Sequence, residues 1–144
     1  MEEVVKEIKE KFYSMHIDEV EDICIEYATV EFIKELVESV EKALNEAKVE
    51  NAYKTPVIKD RDNGGDSDGN VEIVEFDELK FSDEATEEDY TQYYIFDRDE
   101  VEQVDVLKIE TDDYNAYLVL RAIVEQLELD YCGISCVNTL YILV

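Results

Sequence analysis

The chain has 144 residues, with 39 Asp and Glu against 13 Lys and Arg, for a formal net charge of −26. Such a charge would fit a disordered chain, but a 46% hydrophobic content with ten Tyr and five Phe does not, and four Gly with one Pro exclude collagen-like and linker-rich proteins. The length suits one hydrophobic core, so a single acidic domain over 1–144 is expected.

Val5, Ile8, Phe12 and Met15 recur at helical spacing and predict a helix over 2–15. Residues 21–28 alternate Ile23, Ile25 and Tyr27 with Asp22, Cys24 and Glu26, which predicts a strand. A second helix is expected at about 29–48, capped by Thr29, with Phe32, Ile33, Leu36, Val37, Val40 and Leu44 inward and a Glu38–Lys42 pair outside. Residues 54–59 and 71–76 then read as a hairpin whose long tip, 60–70, holds three of the four glycines.

The acidic stretch 77–91 has few apolar residues and is expected to be irregular. Segments 93–96 and 104–109 predict two strands around a polar link. Thr111, Asp112 and Asp113 resemble a helix start, with Tyr117, Leu118, Leu120, Val124 and Leu127 inward over a helix to about residue 129. The tail, 131–144, predicts one or two strands. Its run 140–144 is apolar on both alternating faces, which requires a central strand or a covered edge. The fold class that follows is α+β: about three helices packed on one face of a mainly antiparallel sheet. A monomer with a central tail strand is expected, a homodimer being the alternative.

The acids are not evenly spread. Residues 1–59 carry a net charge of −7, 60–113 of −17 and 114–144 of −2. Solubility of a small domain needs a net charge of only about 2–8, and a cluster of −17 costs self-repulsion. The excess therefore points to a use. Phosphate binding depends on Lys and Arg, so direct nucleic-acid and anionic-membrane binding are not expected, and the expected partner is a basic protein. Carboxylates at Asp83, Glu84, Glu87, Glu88, Asp89, Asp97, Asp99, Glu100 and Glu102 can approach the charge density of a duplex, which has one negative charge per about 1.7 Å. Tyr90, Tyr93 and Tyr94 add amphipathic rings of the kind enriched at interfaces.

In charge, length and lack of a catalytic signature, across the chain and with no motif, the sequence resembles the DNA-mimic anti-defence proteins of phages and archaeal viruses, the anti-restriction and anti-CRISPR inhibitors. That group shares no single fold. The resemblance implies a viral inhibitor that occupies the basic groove of a nucleic-acid-binding protein or complex of host CRISPR or restriction machinery.

Other chemistries find less support. The loop from Asp60 through Asp62, Asp66 and Asp68 to Asn70 has oxygen ligands for a hard cation, but an EF-hand starting at Asp60 would place Gly64 and Val71 where it needs an oxygen and a glutamate. His16 is the only histidine, and Cys24, Cys132 and Cys136 lack zinc spacing. There is no G-x-S-x-G, Walker loop or G-x-G-x-x-G. The expectation is no enzyme, no metal and no cofactor. A small metal-binding or hydrolytic protein using loop 60–70, or a cellular adaptor for a basic protein, is the alternative. The first ten residues have no apolar signal core, no stretch reaches the ~20 apolar residues of a membrane span, and an odd cysteine count suits a reducing compartment, so a cytoplasmic location is expected.

Overall fold

A computed structural model describes residues 2–26, 28–50, 56–58 and 67–144. In chain order these form α1 (Glu2–Ser14), α2 (Ile17–Ile23), α3 (Val30–Glu46), β1 (Lys48–Glu50), β2 (Pro56–Ile58), β3 (Asp68–Gly69), β4 (Glu72–Ile73), a 3₁₀ turn (Phe76–Glu78), β5 (Leu79–Phe81), α4 (Asp89–Gln92), β6 (Tyr94–Phe96), β7 (Glu102–Gln103), β8 (Val106–Glu110), α5 (Tyr114–Gln126), β9 (Tyr131–Ile134), a second 3₁₀ turn (Ser135–Val137) and β10 (Thr139–Leu143). The fold is α+β. Five strands, ordered β1-β8-β10-β9-β3 and antiparallel throughout, form the main sheet.

Alternation along the central strands separates two faces. Leu107 and Ile109 of β8, Tyr131 of β9, and Leu140 and Ile142 of β10 join the helices in one core with Ile8, Phe12, Leu36, Val40, Leu44, Leu120, Ile123 and Val124. Val106, Cys132 and Tyr141 point the other way and are covered by Val71 and Ile73. The tail strand β10 lies between β8 and β9, which satisfies its two apolar faces inside the protein.

Helix α3 matches its pattern: the Thr29 hydroxyl accepts from the Phe32 amide at 3.1 Å, and Leu36, Val40, Ala43 and Leu44 are buried. Lys42, however, donates to Asp112 at 2.8 Å instead of pairing with Glu38 along the helix. The strand expected at 21–28 is not formed. Residues 17–23 are helical, and Val20 and Cys24, four apart, enter the core while Ile25 is 87% exposed. The same residues fit both periods, and packing onto α5 selects the helical one. Tyr27 lies outside the described residues. Helix α5 starts later than expected, with Asp113 as cap, its carboxylate accepting from the Asn115 amide at 2.9 Å. The Thr111 hydroxyl instead donates to the carbonyl of Asn138 at 3.1 Å.

The hairpin expected between 54–59 and 71–76 is present where β2 pairs antiparallel with β4, Val57 facing Ile73, and β2 also pairs with β7. Within its expected tip, Asp68 and Gly69 form the fifth strand of the main sheet, opposite Gly133 and Cys132; residues 60–66 lie outside the described residues. Side chains hold this two-residue strand. The Tyr117 hydroxyl donates to Asp68 at 2.6 Å, Arg121 donates to the same oxygen at 3.1 Å, and the Asn70 side chain accepts from the Tyr131 amide at 2.9 Å. Two glycines make room for it. A Cβ at Gly69 (φ +101°) would lie 2.1 Å from the Tyr131 carbonyl oxygen, and one at Gly133 would lie 2.3 Å from the Tyr117 hydroxyl.

Candidate partner-binding surface

Eleven of the twelve expected site residues lie in one unit or the turn after it, and Glu102 lies apart on β7, in the sheet of β2 and β4. Leu79, Lys80 and Phe81 pair in parallel with Tyr94, Ile95 and Phe96, and the connection between these strands carries α4 and most of the acids. Residues 77–91 are thus more ordered than their composition predicts: Leu79 is buried, and the chain turns back through backbone bonds from Glu84 and Ala85 to the Phe81 carbonyl. The link after β6 closes as a turn, the Glu100 amide donating to the Asp97 carbonyl at 3.0 Å.

The nine acids named from the sequence divide by environment. Asp89 is buried, not displayed. It accepts from the Thr86 amide at 2.9 Å, from Lys80 at 3.0 Å and from the Thr86 hydroxyl at 3.2 Å, so it ties the connection to β5. The Thr86 amide first, and Lys80 next, hold its carboxyl below the usual range. Asp83 and Glu84 are exposed but engaged by Arg98 at 2.8 and 2.9 Å. Asp97 accepts from the Ser82 hydroxyl. Glu87, Glu88, Asp99 and Glu100 are exposed, as is Asp97, and none of these five has an ion pair among the described residues. Glu102 lies on β7, exposed, beside β2.

The three tyrosines divide likewise. Tyr90 and Tyr94 are 61% and 55% exposed, and Tyr94 stacks on Phe96 with centroids 6.5 Å apart. Tyr93 is half-buried, its ring 4.7 Å from the Lys80 ammonium. Behind Tyr94 lies a cleft of about 710 Å³, lined also by Glu78, Ile73, buried Cys132 and exposed Cys136.

Sequence reasoning missed the residues that organise this surface: Lys80, Phe81, Ser82, Thr86 and Arg98. The Leu79-Lys80-Phe81 alternation is a three-residue signal, too short to stand out inside an acidic run. Arg98, the only base between Lys80 and Lys108, was the stronger clue, because a lone cation in such a field has carboxylates to choose from.

Of the Asp-rich loop, Asp60, Asp62 and Asp66 lie outside the described residues, and Asp68 is taken up by Tyr117 and Arg121. Among the described residues no three or more His, Cys, Asp or Glu side chains are grouped to hold a metal ion. His16 occupies the cap position of α2 without a side-chain cap bond. No helix among the described residues is long and apolar enough to cross a membrane. No protein-family model matches the chain, and neither does any curated protein or solved structure.

Proposed function

We propose that the protein is an acidic interaction protein that occupies the basic groove of a nucleic-acid-binding protein, using the β5–β6 unit as its nucleic-acid-like face. One observation carries the reading. Residues 79–105 contain ten acids and two bases, and both bases are used within the unit, Lys80 on Asp89 and Arg98 on Asp83 and Glu84. Five exposed carboxylates without an ion pair among the described residues thus belong to the same unit as two exposed tyrosine rings. A basic groove gains by neutralising such a field, and the rings supply area at low entropy cost. The partner class drawn from the sequence resemblance is CRISPR or restriction machinery, with the protein as its viral inhibitor.

A panel of CRISPR effectors and restriction enzymes, each bound to a labelled duplex, tests this reading. The protein should displace the duplex from at least one enzyme, and its affinity should fall about tenfold or more between 50 and 200 mM salt, as expected when several charge contacts are screened. Binding that ignores salt, or that coexists with bound duplex, sinks the mimic reading.

A further inference from the structure

The proposal that the β5–β6 unit docks a basic partner leaves open which cation it reads, and the unit already holds one example of each. Lys80 lies 4.7 Å from the Tyr93 centroid and on Asp89, a buried carboxylate that also binds Thr86. That contact is part of the fold. Arg98 differs. Its guanidinium carbon sits 4.2 Å from the Phe81 centroid, its Nε donates to Asp83 at 2.8 Å and its Nη2 to Glu84 at 2.9 Å. All three contacts suit a guanidinium: a flat face on a ring, and a donor fork shared by two carboxylates. An ammonium has no plane to stack and no fork. The side chain nevertheless remains 52% exposed, and the two acids 58% and 69%, so the bound group faces solvent on a surface strand-end rather than inside a core.

We propose that Phe81, Asp83 and Glu84 form a guanidinium site, filled within the chain by Arg98 and taken over by an arginine of the docked partner. The inference rests on the acidic-docking reading and narrows it: the partner presents arginine, not only positive charge, at this position. Arg98 is then a tethered competitor whose high effective concentration keeps the site closed to weak, nonspecific cations. A partner whose other contacts hold it in place can exchange it, and the released Arg98 keeps Asp97, Asp99 and Glu100 as its neighbours along the chain.

Two peptides of equal length and charge, one alternating Gly with Arg and one Gly with Lys, are titrated calorimetrically into the protein at fixed ionic strength. Arg98→Gln should strengthen the arginine peptide about fivefold, since it frees both the ring and the carboxylate pair. The lysine peptide should gain about twofold at most, the share due to one fewer positive charge. Adding Phe81→Leu to Arg98→Gln should take back about half of the arginine peptide's gain, the share due to the ring, and leave the lysine peptide unchanged. Arg98→Lys keeps the charge and serves as the second variant: the arginine peptide alone should gain. Equal gains for both peptides, or none, overturn the guanidinium site while leaving acidic docking intact. Failure of both peptides to bind any of these proteins overturns both readings.

Discussion

Replacing Gly133 by alanine tests the packing that places β3 and, through it, the end of the acidic loop. The new Cβ would lie 2.3 Å from the Tyr117 hydroxyl and 3.2 Å from both the Tyr117 ring carbon Cζ and a Leu140 methyl. Tyr117 and Leu140 are fully buried, so neither has solvent to move into. The hydroxyl must shift by about 1 Å to reach an ordinary contact, and its 2.6 Å bond to Asp68 is then lost. Overpacking costs about 1–3 kcal/mol, and losing a hydrogen bond to a charged group about 1.5–3 kcal/mol, so Gly133→Ala should destabilise by about 3–5 kcal/mol, a large share of the ~5–15 kcal/mol of a typical domain. Tyr117→Phe removes the same bond but leaves Arg121 on Asp68, and should cost about 1–2 kcal/mol. In the double variant the alanine no longer meets an oxygen. Its cost should therefore fall about 1.5–2 kcal/mol short of the sum, a coupling expected of side chains in contact. Urea unfolding of the four proteins, followed by circular dichroism, measures this cycle. Additive costs within about 0.5 kcal/mol, or an alanine variant as stable as the parent, would refute the account of how β3 is held.

Further outcomes follow from the same geometry. Gly69→Ala should be at least as damaging as Gly133→Ala, because its clash is with the Tyr131 backbone and its φ of +101° is unfavourable for any side chain, and the melting temperature will show it. Burial first, and the Glu75 carboxylate next, push the Tyr141 phenol up to about 12; burial with Asp68 raises Tyr117, and burial with Glu125 raises Tyr131. The folded chain thus keeps protons that the unfolded chain loses near its ordinary value of about 10, so stability contributed below pH ~10 should drain away towards pH ~12, with a late phenolate step in the 295 nm absorbance. A titration in which all ten tyrosines ionise together near pH 10 without unfolding would contradict those environments. Breaking the exposed Lys42–Asp112 pair by Asp112→Asn should leave the urea midpoint close to that of the parent, despite its 2.8 Å distance, because both groups are solvated.

How far the sequence exposes this architecture depends on the length of each signal. Seventeen residues of uninterrupted period and a Thr cap make α3 readable without help. Seven residues do not suffice for α2, where Ile23 and Ile25 alternate as in a strand while Val20 and Cys24 keep helical spacing; only packing on α5 decides. The apolar run of β10 correctly demands two covered faces, since its requirement is local. The placement of Asp68 in the main sheet is not local. It depends on Tyr117, 49 residues away, and Arg121, 53 away, and no pattern within the loop announces either. The acidic surface shows the same division. Its position between 83 and 102 is legible as composition, whereas the inward turn of Asp89 and the capture of Asp83 and Glu84 by Arg98 arise from how β5 and β6 pair.

On the proposed reading a particular face, and not total charge, binds the basic partner. Two variants that remove equal charge separate the two. One carries Glu87→Gln, Glu88→Gln, Asp97→Asn, Asp99→Asn and Glu100→Gln on the β5–β6 unit. The other carries Glu7→Gln, Glu31→Gln, Glu35→Gln, Glu38→Gln and Glu46→Gln on the exposed sides of α1 and α3. Displacement of a labelled duplex from a CRISPR or restriction enzyme that binds the parent protein is measured for each at one salt concentration. The first variant should stay folded and lose at least about tenfold in affinity, five weakened charge contacts at a few tenths of a kcal/mol each being enough. The second should stay within about twofold of the parent, its charges lying off the contact and screened over a Debye length of about 8 Å. Equal losses from both variants, or undiminished displacement by the first, would contradict the claim.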